Sequence, residues 1–194
     1  PSNIEAISKE HPNLIYNPEF LREKSAESDF ISAEFHIFGG EIKNCNAASD
    51  FYRTYTSTIG EHIFMDISAA SFLKYTINSF LSLKVIFFNE IFDLYEKSIS
   101  SFKWEEFIDI LKKDTRLGDS HMSVPGHDGR RGYGGACFPK DSNALHHYSL
   151  KNDCELSLLK KSININNKYR SRYNTLTDRE IEQKIFFETE EENK

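Results

Sequence analysis

A mainly α-helical fold with a small α/β part is the class this sequence predicts, on three observations. Strand and helix patterns alternate over the first 66 residues. From Ser68 the hydrophobic period becomes helical, with Phe72, Leu73, Phe80, Leu81, Val85, Phe87, Phe88, Ile91, Phe92 and Tyr95 in one run that no Gly or Pro interrupts through residue 101. Three further helical patterns follow, at 104–113, 141–150 and 155–168, with a Gly-, Ser-, His- and Arg-rich loop over 117–135 that is too long to be a mere connector.

Taken in order, residues 1–10 read as a short helix and Leu14-Ile15-Tyr16 as a short strand leading into Asn17-Pro18. A polar loop follows. Phe35-His36-Ile37-Phe38 is a second strand, stopped by Gly39-Gly40; residues 46–57 read as a helix and Ile63-Phe64-Met65 as another brief strand. The helix over 68–101 would be about 50 Å long. Its apolar residues occupy most of its circumference, so it should be buried on several sides. A chain of 194 residues has little else to cover it, and a dimer core is the expected solution. The end of the chain, from Thr177, turns acidic and is expected to fray. The expected divisions are 1–66, the remainder of an α/β domain; 67–170, a central helical domain; and 171–194, a tail.

Composition narrows the function. With 39% hydrophobic and 28% charged residues the chain reads as an ordinary soluble protein. A net charge of −6 disfavours a nucleic-acid surface, since phosphate binders need a basic excess. Apolar runs such as 85–88 are too short to span a bilayer, and residues 1–9 lack the apolar stretch of a signal peptide. Cys45, Cys137 and Cys154 are odd in number and scattered, which fits a reducing cytoplasm better than a disulfide framework. The histidines have no ligand-like spacing with cysteines or acids, so no metal site is expected.

Four segments carry chemistry. In Gly132-Tyr133-Gly134-Gly135-Ala136-Cys137-Phe138-Pro139-Lys140-Asp141, the glycines let the backbone turn and Pro139 suits the first turn of a helix. Cys137 then sits at or just before a helix N-terminus, where the dipole and Lys140 favour the thiolate; the alternative is a buried structural cysteine. In Asn17-Pro18-Glu19-Phe20-Leu21-Arg22-Glu23 two carboxylates four residues apart share a face if helical, one of them a candidate general base; such pairs are also common on solvated helix faces. Lys74 and Asn78 lie one turn apart on an otherwise apolar stripe. They face either a polar pocket, where they would hold a developing oxyanion, or solvent by snorkelling. Arg116, in Asp114-Thr115-Arg116-Leu117-Gly118, is a candidate phosphate or hexose contact, or simply exposed.

Together and in this order, these segments resemble the UDP-glucose/GDP-mannose dehydrogenase family over about residues 13–167. The resemblance implies a central helical dimerisation domain like that of 6-phosphogluconate dehydrogenase, built on one long helix and preceded by the last strands of a Rossmann domain. It implies an NAD-dependent, two-step oxidation of a sugar C6 alcohol to a carboxylate. Cys137 would be the nucleophile, passing through a thiohemiacetal and a thioester. Lys74 and Asn78 would stabilise the oxyanion, Glu19 would activate water and Asp141 would support Lys74 and that water. Phe20, Leu21, Arg22, Glu23, Arg116, Tyr133, Gly134 and Gly135 would hold the nucleotide sugar, with Glu23 and Lys140 near NAD. The Gly-Tyr-Gly-Gly-x-Cys form resembles the UDP-glucose branch; GDP-mannose or another UDP-hexose is the alternative substrate, and a non-catalytic dimerisation module the alternative class.

One departure bears on the cofactor. Family members carry Gly-x-Gly-x-x-Gly for NAD, whereas Gly132-x-Gly134 continues here to Cys137. The expectation is a fragment or shortened form that does not turn over NAD by itself.

Overall fold

The computed structural model describes residues 3–22, 25–99 and 101–187. Two compact units divide between Ile77 and Asn78.

The first unit is the α/β part. Strands β1 (Phe35–Gly39) and β2 (Glu61–Met65) pair in parallel, Phe35 opposite Glu61 and Gly39 opposite Met65. Helix α3 (Ile42–Tyr55) crosses between them, which is the connection that parallel strands require. Apolar and aromatic side chains of β1 form the centre, with Ile37 1% and Phe38 0% exposed. Helix α1 (Ile4–Glu10) precedes them, and residues 26–31, expected as loop, form a short helix α2 (Ala26–Ile31). The expected strand at 14–16 is reduced to one antiparallel bridge, Tyr16 with Gly39. The ladder cannot extend beyond Asn17 because Pro18 has no N–H to give.

The long helix α4 (Ile67–Ser98) runs through the division and matches the expected 68–101 closely. Asp66 starts it: its Oδ1 accepts the backbone N–H groups of Ser68 (2.8 Å) and Ala69 (3.1 Å), which are otherwise unpaired at a helix start.

The second unit consists of the rest of α4 with α5 (Trp104–Leu111), α6 (Phe138–Lys151), α7 (Ser157–Arg170) and α8 (Asp178–Glu182). One apolar cluster joins Phe88 and Tyr95 of α4 to Trp104 and Ile108 of α5 and to Met122 and Val124 of the long loop. A second joins Ile86, Tyr133 and Tyr169. Not every face of α4 is covered: Phe80, Phe87 and Leu94, spaced by seven, are 64%, 56% and 62% exposed. Instead of fraying, residues 177–182 form α8 on a capping box in which Thr177 and Glu180 cap one another reciprocally. Glu180 is fully buried, so its charge must be matched inside the fold.

Candidate active site

In the first unit the Asn17–Arg22 segment is a loop whose residues hold one another. Asn17 donates to the Ile37 carbonyl (2.6 Å) and accepts from the Tyr52 hydroxyl (2.5 Å), which fastens the loop to β1 and α3. Glu19 Oε2 accepts the Leu21 N–H (2.9 Å), and its Oε1 lies 3.4 Å from Lys74 Nζ. Lys74 is thus only 18% exposed at its side chain, with a carboxylate partner. Phe20 packs edge-on against Phe35, ring centroids 6.0 Å apart. Arg22 forks onto Asp29 through Nε (2.9 Å) and Nη2 (2.6 Å). Those bonds hold the Asp29 carboxyl well below the usual carboxylate range. Asn17, Glu19, Phe20 and Leu21 line a shallow cavity with Phe35 and Tyr52. Glu23 lies outside the described residues.

In the second unit Cys137 is the N-cap residue of α6 and its side chain is exposed; Pro139 stands in the first turn. The buried-structural-cysteine alternative therefore fails for Cys137 and applies to Cys45, which is 0% exposed, bonded to the Phe38 carbonyl (3.3 Å) and pushed up by burial. One turn beyond Cys137, Asp141 is fully buried and its N–H donates to the Cys137 carbonyl (2.8 Å). Its Oδ2 accepts from Asn78 Nδ2 (2.6 Å) and its Oδ1 from Lys140 Nζ (2.5 Å). One turn along α4, Ser82 and Ser142 meet at 2.8 Å. Two polar pairs therefore join α4 to α6 just beneath the thiol. Among the described residues Asp141 is thus placed with Asn78 and Lys140, while Lys74 has Glu19 as its carboxylate.

Of the other expected contacts, Arg116 is wrapped around Asp114 (Nε to Oδ1 2.9 Å) on an 87% exposed side chain. Tyr133 is buried, 4% exposed, its hydroxyl directed at those of Ser142, Ser162 and Ser82; burial pushes the phenol up to about 12. It anchors the loop from beneath. Gly134 and Gly135 continue the loop towards Cys137, with Gly135 at φ +75°.

Among the residues that hold this loop, Asn166 and Tyr173 escaped the sequence reading. Asn89 Oδ1 accepts the Gly132 N–H (3.1 Å), Asn166 Oδ1 accepts the Tyr133 N–H (2.7 Å), and the Tyr173 hydroxyl accepts the Arg131 N–H (2.9 Å). Gly132 has φ +73°, and a Cβ there would stand 2.5 Å from Asn166 Oδ1; only glycine suits both demands. Arg131 itself reaches Asn89 Oδ1 (2.7 Å) and Asp93 (2.8 Å) beneath the Tyr169 ring. An amide on each of two amphipathic helices was a visible signal, since buried amides need backbone or side-chain partners.

The fold matches that of the central helical domain in known nucleotide-sugar dehydrogenases. The chain belongs to the UDP-glucose/GDP-mannose dehydrogenase family, whose central-domain model matches residues 68–168. It is 34% identical to the UDP-glucose 6-dehydrogenase YwqF of Bacillus subtilis over 152 residues, 78% of this chain and 32% of that protein. With the UDP-glucose 6-dehydrogenase of Rickettsia conorii it shares 33% identity over 172 residues, 85% of this chain and 37% of that protein. Among solved structures, a UDP-glucose dehydrogenase from Pyrobaculum islandicum superposes at TM-score 0.69 with 28% identity, covering 82% of this chain and 34% of that one. A UDP-D-ManNAc dehydrogenase from Pyrococcus horikoshii superposes at 0.70 with 20% identity, covering 89% and 40%, which speaks for the fold alone. The chain spans about a third of the length of the curated relatives it matches.

Proposed function

We propose that this chain carries the nucleophile and its helpers for oxidation of a nucleotide sugar at C6, with UDP-glucose as substrate and a cytoplasmic setting. The single observation that supports this best is the exposed Cys137 at the N-terminus of α6, above a buried Asp141 that is bonded to Asn78 and Lys140. An uncharged thiol attacks a carbonyl poorly, and the helix terminus supplies the activation. Cys137 adds to the C6 aldehyde to give a thiohemiacetal. The Asn78 amide and the Lys74 ammonium stabilise the oxygen anion, each held by a carboxylate, Asp141 and Glu19 respectively. Were the thiohemiacetal to lose hydride to a bound NAD and become a thioester, Glu19 would activate the water that hydrolyses it. Phe20, Leu21, Arg22, Arg116, Gly134 and Gly135 contribute to sugar-nucleotide binding.

The hydride acceptor in this reading is NAD, but these residues do not fit it by themselves. No Gly-x-Gly-x-x-Gly joins a strand to a helix here, and Lys140, expected near NAD, bonds Asp141. No hydride step is derived from this chain.

The test uses the C6 aldehyde of UDP-glucose as a protecting ligand against iodoacetamide. Slower alkylation of Cys137, with Cys154 unaffected and the GDP-mannose aldehyde less effective, is the expected result. No protection at Cys137 from either aldehyde would overturn the proposal.

The exposed Phe80, Phe87 and Leu94 stripe supports pairing of two copies along α4, because three large apolar side chains in one row favour a covered face. Sedimentation at micromolar concentration is expected to give a dimer; a clean monomer would contradict this.

A further inference from the structure

The loop ahead of Cys137 lies against a buried charge cluster that no part of the proposed chemistry uses. Arg170, at the end of α7, has a side chain 0% exposed, as has Glu180 of α8. Arg170 Nη2 is bonded to Glu180 Oε1, and Nη1 to Asp128 Oδ2 (2.7 Å) in the loop itself. Glu180 Oε2 accepts the Thr177 N–H (2.7 Å), closing the capping box of α8. Arg130 adds a hydrogen bond to the Thr175 carbonyl (2.6 Å) and lies over the Tyr173 ring. One guanidinium therefore ties together the loop, α7 and α8.

Gly134 rests directly on this pair: a Cβ there would fall on Arg170 Nη2 and Glu180 Oε1. Three residues further on is Cys137, and no secondary-structure element intervenes. A buried ion pair is a poor device for stability, since apolar residues of similar volume serve that purpose as well. What the guanidinium adds is direction, because its planar fork fixes where each partner stands.

We propose, resting on the reading of Cys137 as the reacting thiol, that Glu180 and Arg170 are positioning residues for it. The pair sets the backbone at Gly134 and so the orientation in which the first turn of α6 meets the thiol. The segment after α7 is then part of the catalytic apparatus without touching substrate.

The test measures iodoacetamide alkylation of Cys137 against pH in the full chain carrying Cys154→Ser, with Cys45 buried. Glu180→Gln keeps the length of the side chain but turns one of its two accepting oxygens into an NH2 donor, so the Thr177 N–H and Arg170 Nη2 cannot both keep their acceptor. Its profile is expected to shift to higher pH, with the rate at pH 7 falling about threefold. Thr177→Ala loosens α8 through its cap and is expected to act in the same direction, more weakly. Ile37→Val, in β1 of the first unit, removes a buried methylene outside the loop and should leave the profile in place. Folded Glu180→Gln and Thr177→Ala variants with profiles superimposed on the parent would overturn the proposal. Should Glu180→Gln fail to fold, Thr177→Ala decides alone. Failure of the underlying reading looks different: in the unsubstituted chain Cys137 would then react no faster than Cys154.

Discussion

Replacing Arg170 with alanine is expected to lower the unfolding free energy by about 3–5 kcal/mol, the cost of leaving buried charges without their partner. Glu180 is fully enclosed and cannot turn to water when the guanidinium is removed, whereas Asp128, at the surface, can. Arg130, 3.9 Å from Glu180 Oε2 and already bonded to Thr175, remains as a weaker partner and puts the loss towards the lower end of that range. Chemical denaturation followed by circular dichroism measures the loss. The comparison is Arg116→Ala, which removes an ion pair with Asp114 from a side chain that is 87% exposed and should leave the midpoint where it is. Equal, small effects of the two substitutions would show that the cluster is not sealed from water.

The contrast between these two arginines also explains what the sequence made legible. Hydrophobic period located α4 to within a few residues, because that feature is local. Pro139 after a glycine run placed Cys137 at a helix start, which the structure shows. Arg116 drew attention because it stood in a Gly-containing loop, yet it closes on Asp114 two residues away. Arg170 did not, because its partners are 42 and 10 residues distant and nothing nearby marks them. Glu180 sat in a stretch whose acidic composition suggested fraying, and the Thr177-x-x-Glu180 capping signature in it was not read. Tyr133 was assigned to substrate binding by the family resemblance; its ring is buried near the serines of α4, α6 and α7. Helix α2 was missed for a different reason: at six residues it carries no apolar period to detect.

Two sets of polar residues emerge from the same physical rule, that a buried polar group needs a partner. One set, Asn78 and Lys140 around Asp141, lies beneath the thiol and belongs to the proposed chemistry. The other, Asn89, Asn166, Arg170 and Glu180, holds the loop that delivers Cys137. Both depend on α4 remaining one continuous helix, since Asn78 and Asn89 project from it at different turns.

The central claim is that Cys137 is an activated thiol, and the chain contains its own reference for it. Cys154 is also exposed but follows the end of α6 in a turn, whereas Cys137 caps the start of that helix. Under the proposal the helix N-terminus favours the thiolate at Cys137, and thiolate is the species that reacts. The direct measurement is limited iodoacetamide labelling of the folded chain at pH 7, quantified at each cysteine by peptide mass spectrometry. Cys137 is expected to react about tenfold faster than Cys154 and to lose that advantage in denaturant. Equal rates in the folded chain would contradict the assignment of Cys137 as the nucleophile.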